Sequence, residues 1–179
     1  MFTKKSPAPA AAAAAASTQS RHFKRAQRVH QIGDQGQAWY VQSGAVRLDA
    51  MGPEGLMFAA LAVTGDIIGT DALVGGRYAF AARALTPCVL TPWELSRSTP
   101  VLELMSAAQR RAAEVVALRC GRAEDRVARL VRLLGGDGVQ RHSDFRALTP
   151  RLRDVADITD LAPETVSRIA NANATQRSH

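Results

Sequence analysis

Residues 148–169, LTPRLRDVADITDLAPETVSRI, constrain the fold of this chain more than any other stretch. Leu152, Val155 and Ala156 recur at helical spacing, the chain turns at Thr159-Asp160, and Leu161, Val166 and Ile169 give a following helix one apolar face. Pro163 suits the first turn of that second helix, where its missing N–H would have had no intrahelical partner. The pattern is a helix-turn-helix. If the apolar stripe packs on the first helix, the helix over 163–171 turns Glu164, Thr165, Ser167 and Arg168 outward, on the side a major groove would meet. Arg donates in bidentate fashion to guanine O6 and N7, Glu accepts from cytosine N4, and Ser serves either base. These four are the candidate DNA-binding residues. The bland alternative is an amphipathic helical hairpin with a solvated charged face.

The charge distribution points the same way. The net charge of +7 is uneven: residues 1–28 carry six Lys or Arg and no acids, residues 29–96 carry three against six, and residues 97–179 carry fourteen against ten. A basic half joined to a mildly acidic one is what a DNA reader attached to a sensor would show. At 179 residues and 46% hydrophobic content the chain can build one or two small cores, and no apolar run outside the alanine tract approaches a membrane span. Residues 1–22 begin with a low-complexity Ala-, Pro- and Ser-rich stretch and are expected to be a disordered tail. Its lysines and seven consecutive alanines fit a secretory signal only loosely. Two cysteines, Cys88 and Cys120, are too few for a disulfide framework and fit a reducing compartment, so a cytoplasmic location is expected.

Between Arg28 and Glu94 the segments WYVQ, AVRLDA, LMFAALAV and FAARAL are short, apolar or alternating. Gly33-Asp34, Gly52-Pro53, Gly65-Asp66 and Gly75-Gly76 separate them, which is the spacing of an antiparallel barrel or jelly roll. Beyond this, Thr99-Pro100 reads as an N-cap and first-turn proline. Val101, Met105, Ala108, Ala112, Val115 and Leu118 then recur at steps of three or four, the expected dimer interface. The rival reading packs that stripe on the chain's own roll, and one helix can do both. RAEDRVARLVRLLGG continues helically to Leu134 and stops at Gly135-Gly136, a C-cap and candidate hinge around residues 133–138.

Three sets of residues carry a resemblance. Arg153-Asp154-Val155-Ala156 followed by Glu164-Thr165-Val166-Ser167-Arg168 resembles the DNA-binding signature of the cyclic-AMP receptor protein and fumarate-nitrate regulator (CRP/FNR) family of bacterial transcription factors. Gly33-Asp34-x-Gly36, Trp39-Tyr40-Val41, Gly44-x-Val46, Gly65-Asp66 and Gly69 resemble the glycine-punctuated strands of that family's cyclic-nucleotide-binding β-roll. Residues 123–130, AEDRVARL, resemble the segment after its dimer helix. The resemblance spans about residues 27–170. It implies an α+β chain: an antiparallel β-roll (a double-stranded β-helix, jelly-roll-like) as sensor over 23–96, a long dimerisation helix and its successor over 97–134, and a helix-turn-helix over 135–179. It also implies a homodimer on double-stranded DNA, with RNA polymerase as a further partner, and half-sites like TTGAT, because Glu164-x-x-Ser167-Arg168 is nearer the fumarate-nitrate branch.

The chain departs from the family in three places. Asp160 stands at the turn where the family usually has Gly, tolerable because Asp visits the left-handed region more readily than most residues. Only NANATQRSH follows Ala170, so the wing of the family is expected to be missing or the chain truncated, and the alternative function is a ligand-binding or protein-interaction dimer that has lost DNA binding. In residues 69–83, GTDALVGGRYAFAAR, Thr70 takes the place of the ribose-binding Glu, and Tyr78 and Ala79 that of the Arg-Ser that holds the phosphate. Cyclic AMP in the family's usual mode is therefore not expected. Thr70, Asp71, Arg77, Tyr78 and Arg83 remain the candidate ligand residues, with Arg77 able to supply a shifted anion site. Two cysteines cannot supply the four thiolates of an iron-sulfur cluster. Haem remains open as a cofactor, with His22, His30 or Cys88 as the candidate axial ligand. No His-x-His pair or other metal-ligand spacing is present, which argues against a cupin-type metalloenzyme and against catalysis.

Overall fold

The protein was analysed as a computed structural model, which describes residues 19–96, 99–135 and 150–175. The alanine tract and the part of the candidate hinge after Gly135 lie outside the described residues. The chain is α+β with an antiparallel β-roll. Its elements run β1 (Arg21–Phe23), β2 (Arg28–His30), β3 (Ala38–Ser43), β4 (Ala45–Gly52), β5 (Gly55–Val63), β6 (Ile67–Ile68), α1 (Thr70–Gly75), β7 (Ala81–Ala84) and β8 (Cys88–Trp93). Four longer helices follow: α2 (Val101–Ala117), α3 (Ala123–Gly135), α4 (Leu152–Thr159) and α5 (Pro163–Thr175).

The strands form two four-stranded antiparallel sheets, ordered β1-β8-β3-β6 and β2-β7-β4-β5. Each of the four apolar segments noted in the sequence contributes to a strand. The first strand begins at Arg21, inside the stretch read as tail. Gly44 lets β3 turn directly into β4: its φ is +84°, and a Cβ there would sit 2.2 Å from the Pro87 carbonyl oxygen.

Period-two alternation gives the β2-β7-β4-β5 sheet two different faces. Val46, Ala62, Ala82 and Ala84 join Trp39, Val41, Ile68, Cys88 and Leu90 in the core between the sheets. On the other face Ala45, Phe58, Leu61, Val63 and Leu85 join Leu118 of the α2 C-cap, Val127 and Leu130 of α3, Val155, Ala156 and Ile158 of α4, and Val166 and Ile169 of α5. Helices α4 and α5 therefore share a core with the roll. Burying a Leu or Ile side chain contributes about 1.5–3 kcal/mol, so this second core is a large part of what holds the molecule together.

Helix α2 starts differently from the sequence reading. Pro100 is its N-cap and the helix begins at Val101, while the Thr99 hydroxyl accepts from the Ser96 backbone N–H at 2.9 Å instead of capping the helix. The Val101 N–H is taken instead by the Thr99 backbone carbonyl at 2.8 Å.

Candidate functional site

Helices α4 and α5 meet at a tight turn. Asp160 caps α4 in the left-handed conformation (φ 53°, ψ 53°), the role its side chain was expected to tolerate, and Pro163 is the first residue of α5. Val166 and Ile169 are buried against α4. Glu164 and Arg168 are exposed and Thr165 and Ser167 half-buried, so the four candidate base readers lie along one open side of α5. The Arg168 Nη2 reaches the Thr165 hydroxyl at 3.5 Å, a long contact that leaves the guanidinium fork free to turn outward.

The C-terminal end of α4 is held by arginines from the turn after α2 and the start of α3. Arg119 donates to the Asp157 and Ile158 carbonyls at 3.2 and 3.4 Å, and Arg126 to those of Thr159 and Asp160, both at 3.3 Å. These carbonyls have no intrahelical donors, and they form the negative end of the helix dipole, where cations stabilise by about 0.3–1 kcal/mol each. Arg119 also lies over the Phe58 ring, 5.2 Å from its centroid.

The five candidate ligand residues do not converge. Tyr78 turns inward and is 4% exposed. Its hydroxyl donates to the Gln37 carbonyl at 2.7 Å and accepts from the Gln37 N–H at 2.9 Å, and its ring stacks on His30 with centroids 3.6 Å apart. Gly36 makes room for this, since a Cβ there would lie 2.0 Å from the Tyr78 oxygen. Arg77 faces outward and donates to the Gly33 carbonyl at 2.7 Å, Asp71 closes the loop by accepting from the Ala79 N–H, and Thr70 lines the groove beneath α2. Arg83 points to the opposite face of the sheet and pairs with Asp154 of α4. Tyr78 thus fills the interior beside residues 69–83.

His22 is exposed on β1, His30 lies under Tyr78, and Cys88 is buried, its thiol pushed up to about 11 by burial. Burial also lowers the pKa of His30 from 6.5 to about 4 against the opposing pull of Asp71 and Asp34, and its Nδ1 has no hydrogen-bond partner among the described residues. A neutral imidazole is therefore favoured in the folded state alone. Its contribution is complete above the unfolded pKa of 6.5 and is lost as pH falls from there towards 4, a total of about 3 kcal/mol. His30→Phe keeps the stack on Tyr78 and removes the titration. Thermal melts between pH 7 and 4 should lose much of their acid slope in this variant, and an unchanged slope would assign acid sensitivity to other groups.

The apolar stripe of α2 divides between two faces. Leu104, Ala107, Arg111 and Val115 are half-buried towards the roll, with the Arg111 Nε 2.8 Å from Asp66 at the β5–β6 turn. Leu118 is 2% exposed inside the subunit core and so turns away from the expected seam. Val101, Met105, Ala108 and Ala112 are exposed, beside Leu102 at 82% and Val116 at 65%. A groove of about 740 Å³ runs between α2 and the roll, walled by Leu73, Val74, Trp93, Leu95 and Met105 among others. No helix among the described residues is long and apolar enough to cross a membrane.

Residues 20–107 match the cyclic nucleotide-binding domain family. A search of curated protein sequences gives no match. Among solved structures, the chain is similar to a CRP-family transcriptional regulator from Thermus thermophilus, at 23% identity and a TM-score of 0.68, covering 87% of this chain and 85% of that one. A CRP/FNR-family regulator from the same organism has 22% identity and a TM-score of 0.64, with 88% and 87% covered. FixK2 from Bradyrhizobium japonicum has 20% identity and a TM-score of 0.60, with 89% and 85% covered.

Proposed function

From a chain that carries a cyclic nucleotide-binding domain over residues 20–107 and has the fold of the CRP/FNR regulators, we propose a transcription regulator that reads a palindromic DNA site as a homodimer. The observation that carries this reading is α5. Its buried face of Val166 and Ile169 is locked on α4, while Glu164 and Arg168 stand exposed on the other side beside half-buried Ser167. Such a helix presents donors and acceptors in a fixed register, which base-edge recognition requires.

Arg168 is assigned to guanine and Glu164 to the partner cytosine of one base pair in each half-site. The sites are expected to be TTGAT-like. Selection of binding sites from random DNA tests the function, and Arg168→Ala tests the residue. Its loss should cost about 1–3 kcal/mol per half-site and relax the preference at one base pair. Equal losses on selected and random duplexes would assign Arg168 to the phosphate backbone.

Dimerisation is supported by the exposed apolar face of α2 from Val101 to Val116, which a second copy would cover at the two-fold axis. The roll is the sensor in this reading. Residues 69–83, its cassette, lack a convergent cationic site, because Arg77 and Arg83 are engaged elsewhere and Tyr78 fills the interior, so its effector is not cyclic AMP held in the family's usual manner. RNA polymerase contact and a cytoplasmic location follow from the same reading.

A further inference from the structure

One cluster of charge lies where the roll meets the helix-turn-helix. In the sheet, Arg47 of β4 is the direct cross-strand partner of Arg83 of β7, and both side chains leave the face that carries Leu61 and Leu85. Like charges at opposed strand positions repel. Three aspartates relieve this. Asp49, two residues along β4 on the same face, accepts from the Arg47 Nε at 2.6 Å and lies 3.8 Å from the Arg83 Nε. Asp154 and Asp157, one helical turn apart on α4, take the rest: Asp154 pairs with Arg83 and with the Arg47 Nη1 at 3.3 Å, and Asp157 with that same Nη1 at 3.0 Å. Arg47, Asp49 and Asp154 are each no more than 5% exposed.

Such a cluster is a poor device for stability alone. Removing several charges from water costs about as much as their attraction returns, and apolar side chains of similar size would often hold two surfaces together as well or better. The same interface already has apolar contacts in Leu61, Leu85, Val155 and Ile158. What forked guanidinium–carboxylate pairs add is one permitted geometry, because a slide or rotation of α4 leaves buried charges unpaired. We propose that Arg47, Asp49, Arg83, Asp154 and Asp157 are an ionic latch that fixes the helix-turn-helix on the β2-β7-β4-β5 sheet and so sets where α5 stands relative to the rest of the subunit.

The latch has a built-in connection to the cassette. β7 runs directly out of the segment that carries Tyr78, Ala82 of β7 is paired with His30, on which Tyr78 stacks, and Arg83 is the next residue. A displacement of Tyr78 therefore reaches the latch along one short strand. In a two-fold dimer the latch fixes the separation of the two reading helices. That consequence rests on the DNA-reading function proposed above.

Two variants from opposite sides of the interface, Arg83→Gln and Asp154→Asn, and their double mutant test the latch in the full chain. Without DNA, amide exchange over residues 152–159 should speed up by about tenfold or more in each variant, while β4 and β5 keep their protection. The double mutant should be less affected than the sum of the two singles, since both remove the Arg83–Asp154 pair that they share. Unchanged exchange in α4, or an equal rise in β4 and β5, would overturn the proposal. With DNA, palindromes of varied half-site separation should show a sharp optimum for the wild-type protein, about one duplex turn or a multiple of it between centres. In the variants that optimum should flatten, with binding to an isolated half-site unchanged. A preserved optimum would also overturn the latch. If the wild-type protein shifts no duplex, the DNA reading falls and the exchange measurement alone decides the latch.

Discussion

Ala112→Glu is expected to leave this protein monomeric. Ala112 lies on the exposed side of α2 with Val101, Met105 and Ala108, the face on which the proposed dimer would have its seam. A glutamate there would bring two like charges together as water is excluded. An uncompensated buried charge costs about 3–5 kcal/mol, which corresponds to roughly a hundredfold or more in the dimer dissociation constant. Sedimentation velocity across a concentration series reads this directly. A dimer that persists in the variant moves the seam away from α2. The roll should remain folded, because Ala112 is outside both apolar cores.

Leu118→Ala should act in the opposite manner, lowering subunit stability by about 2–5 kcal/mol. Leu118 is 2% exposed where α2 ends, amid Phe58 and Leu61 of the sheet and the apolar faces of α3 to α5. Truncation leaves a cavity in the core that the roll and the helix-turn-helix share. Arg119 also ties the end of α4 to Phe58 of the roll, so collapse around the cavity is restricted. Urea unfolding in the Ala112→Glu background separates this loss from any effect on association. Met105→Ala, on the exposed side of the same helix, should there change stability by about 0.5 kcal/mol or less. Equal losses at the two positions would mean that the stripe is not divided between faces.

Helices α4 and α5 were legible because their determinants are local. Apolar spacing in Leu152–Ile169, a proline at the start of α5 and an aspartate at the turn each act within a few residues, and the observed helices, the first residue of α5 and the left-handed Asp160 follow from them. The strands of the roll were legible for the same reason, as short apolar runs between glycines. The stripe on α2 was legible as a stripe only. A period of 3.6 shows that some face is buried without showing against what, and the structure assigns Leu104, Ala107, Val115 and Leu118 to the roll and leaves the Val101–Ala112 face open.

Ligand residues were hardest to read, because direction off a strand depends on register. Arg77, Tyr78 and Arg83 lie within one short segment, yet Arg77 caps a turn, Tyr78 plugs the cassette and Arg83 crosses to α4. Nothing in the local pattern pairs Arg47 with Asp154, 107 residues away. The nearest signal was the charge itself: Arg47 and Asp49 alternate on a strand with Val46 and Leu48, which places two charges on one face of an apolar sheet and calls for a partner. Local order, then, was determined by the sequence alone, through propensities and periodicities that operate over one or two turns. Only the tertiary structure decided that the outer face of the β2-β7-β4-β5 sheet and α4 would be buried together. A buried arginine is stable solely where carboxylates from distant parts of the chain arrive to meet it.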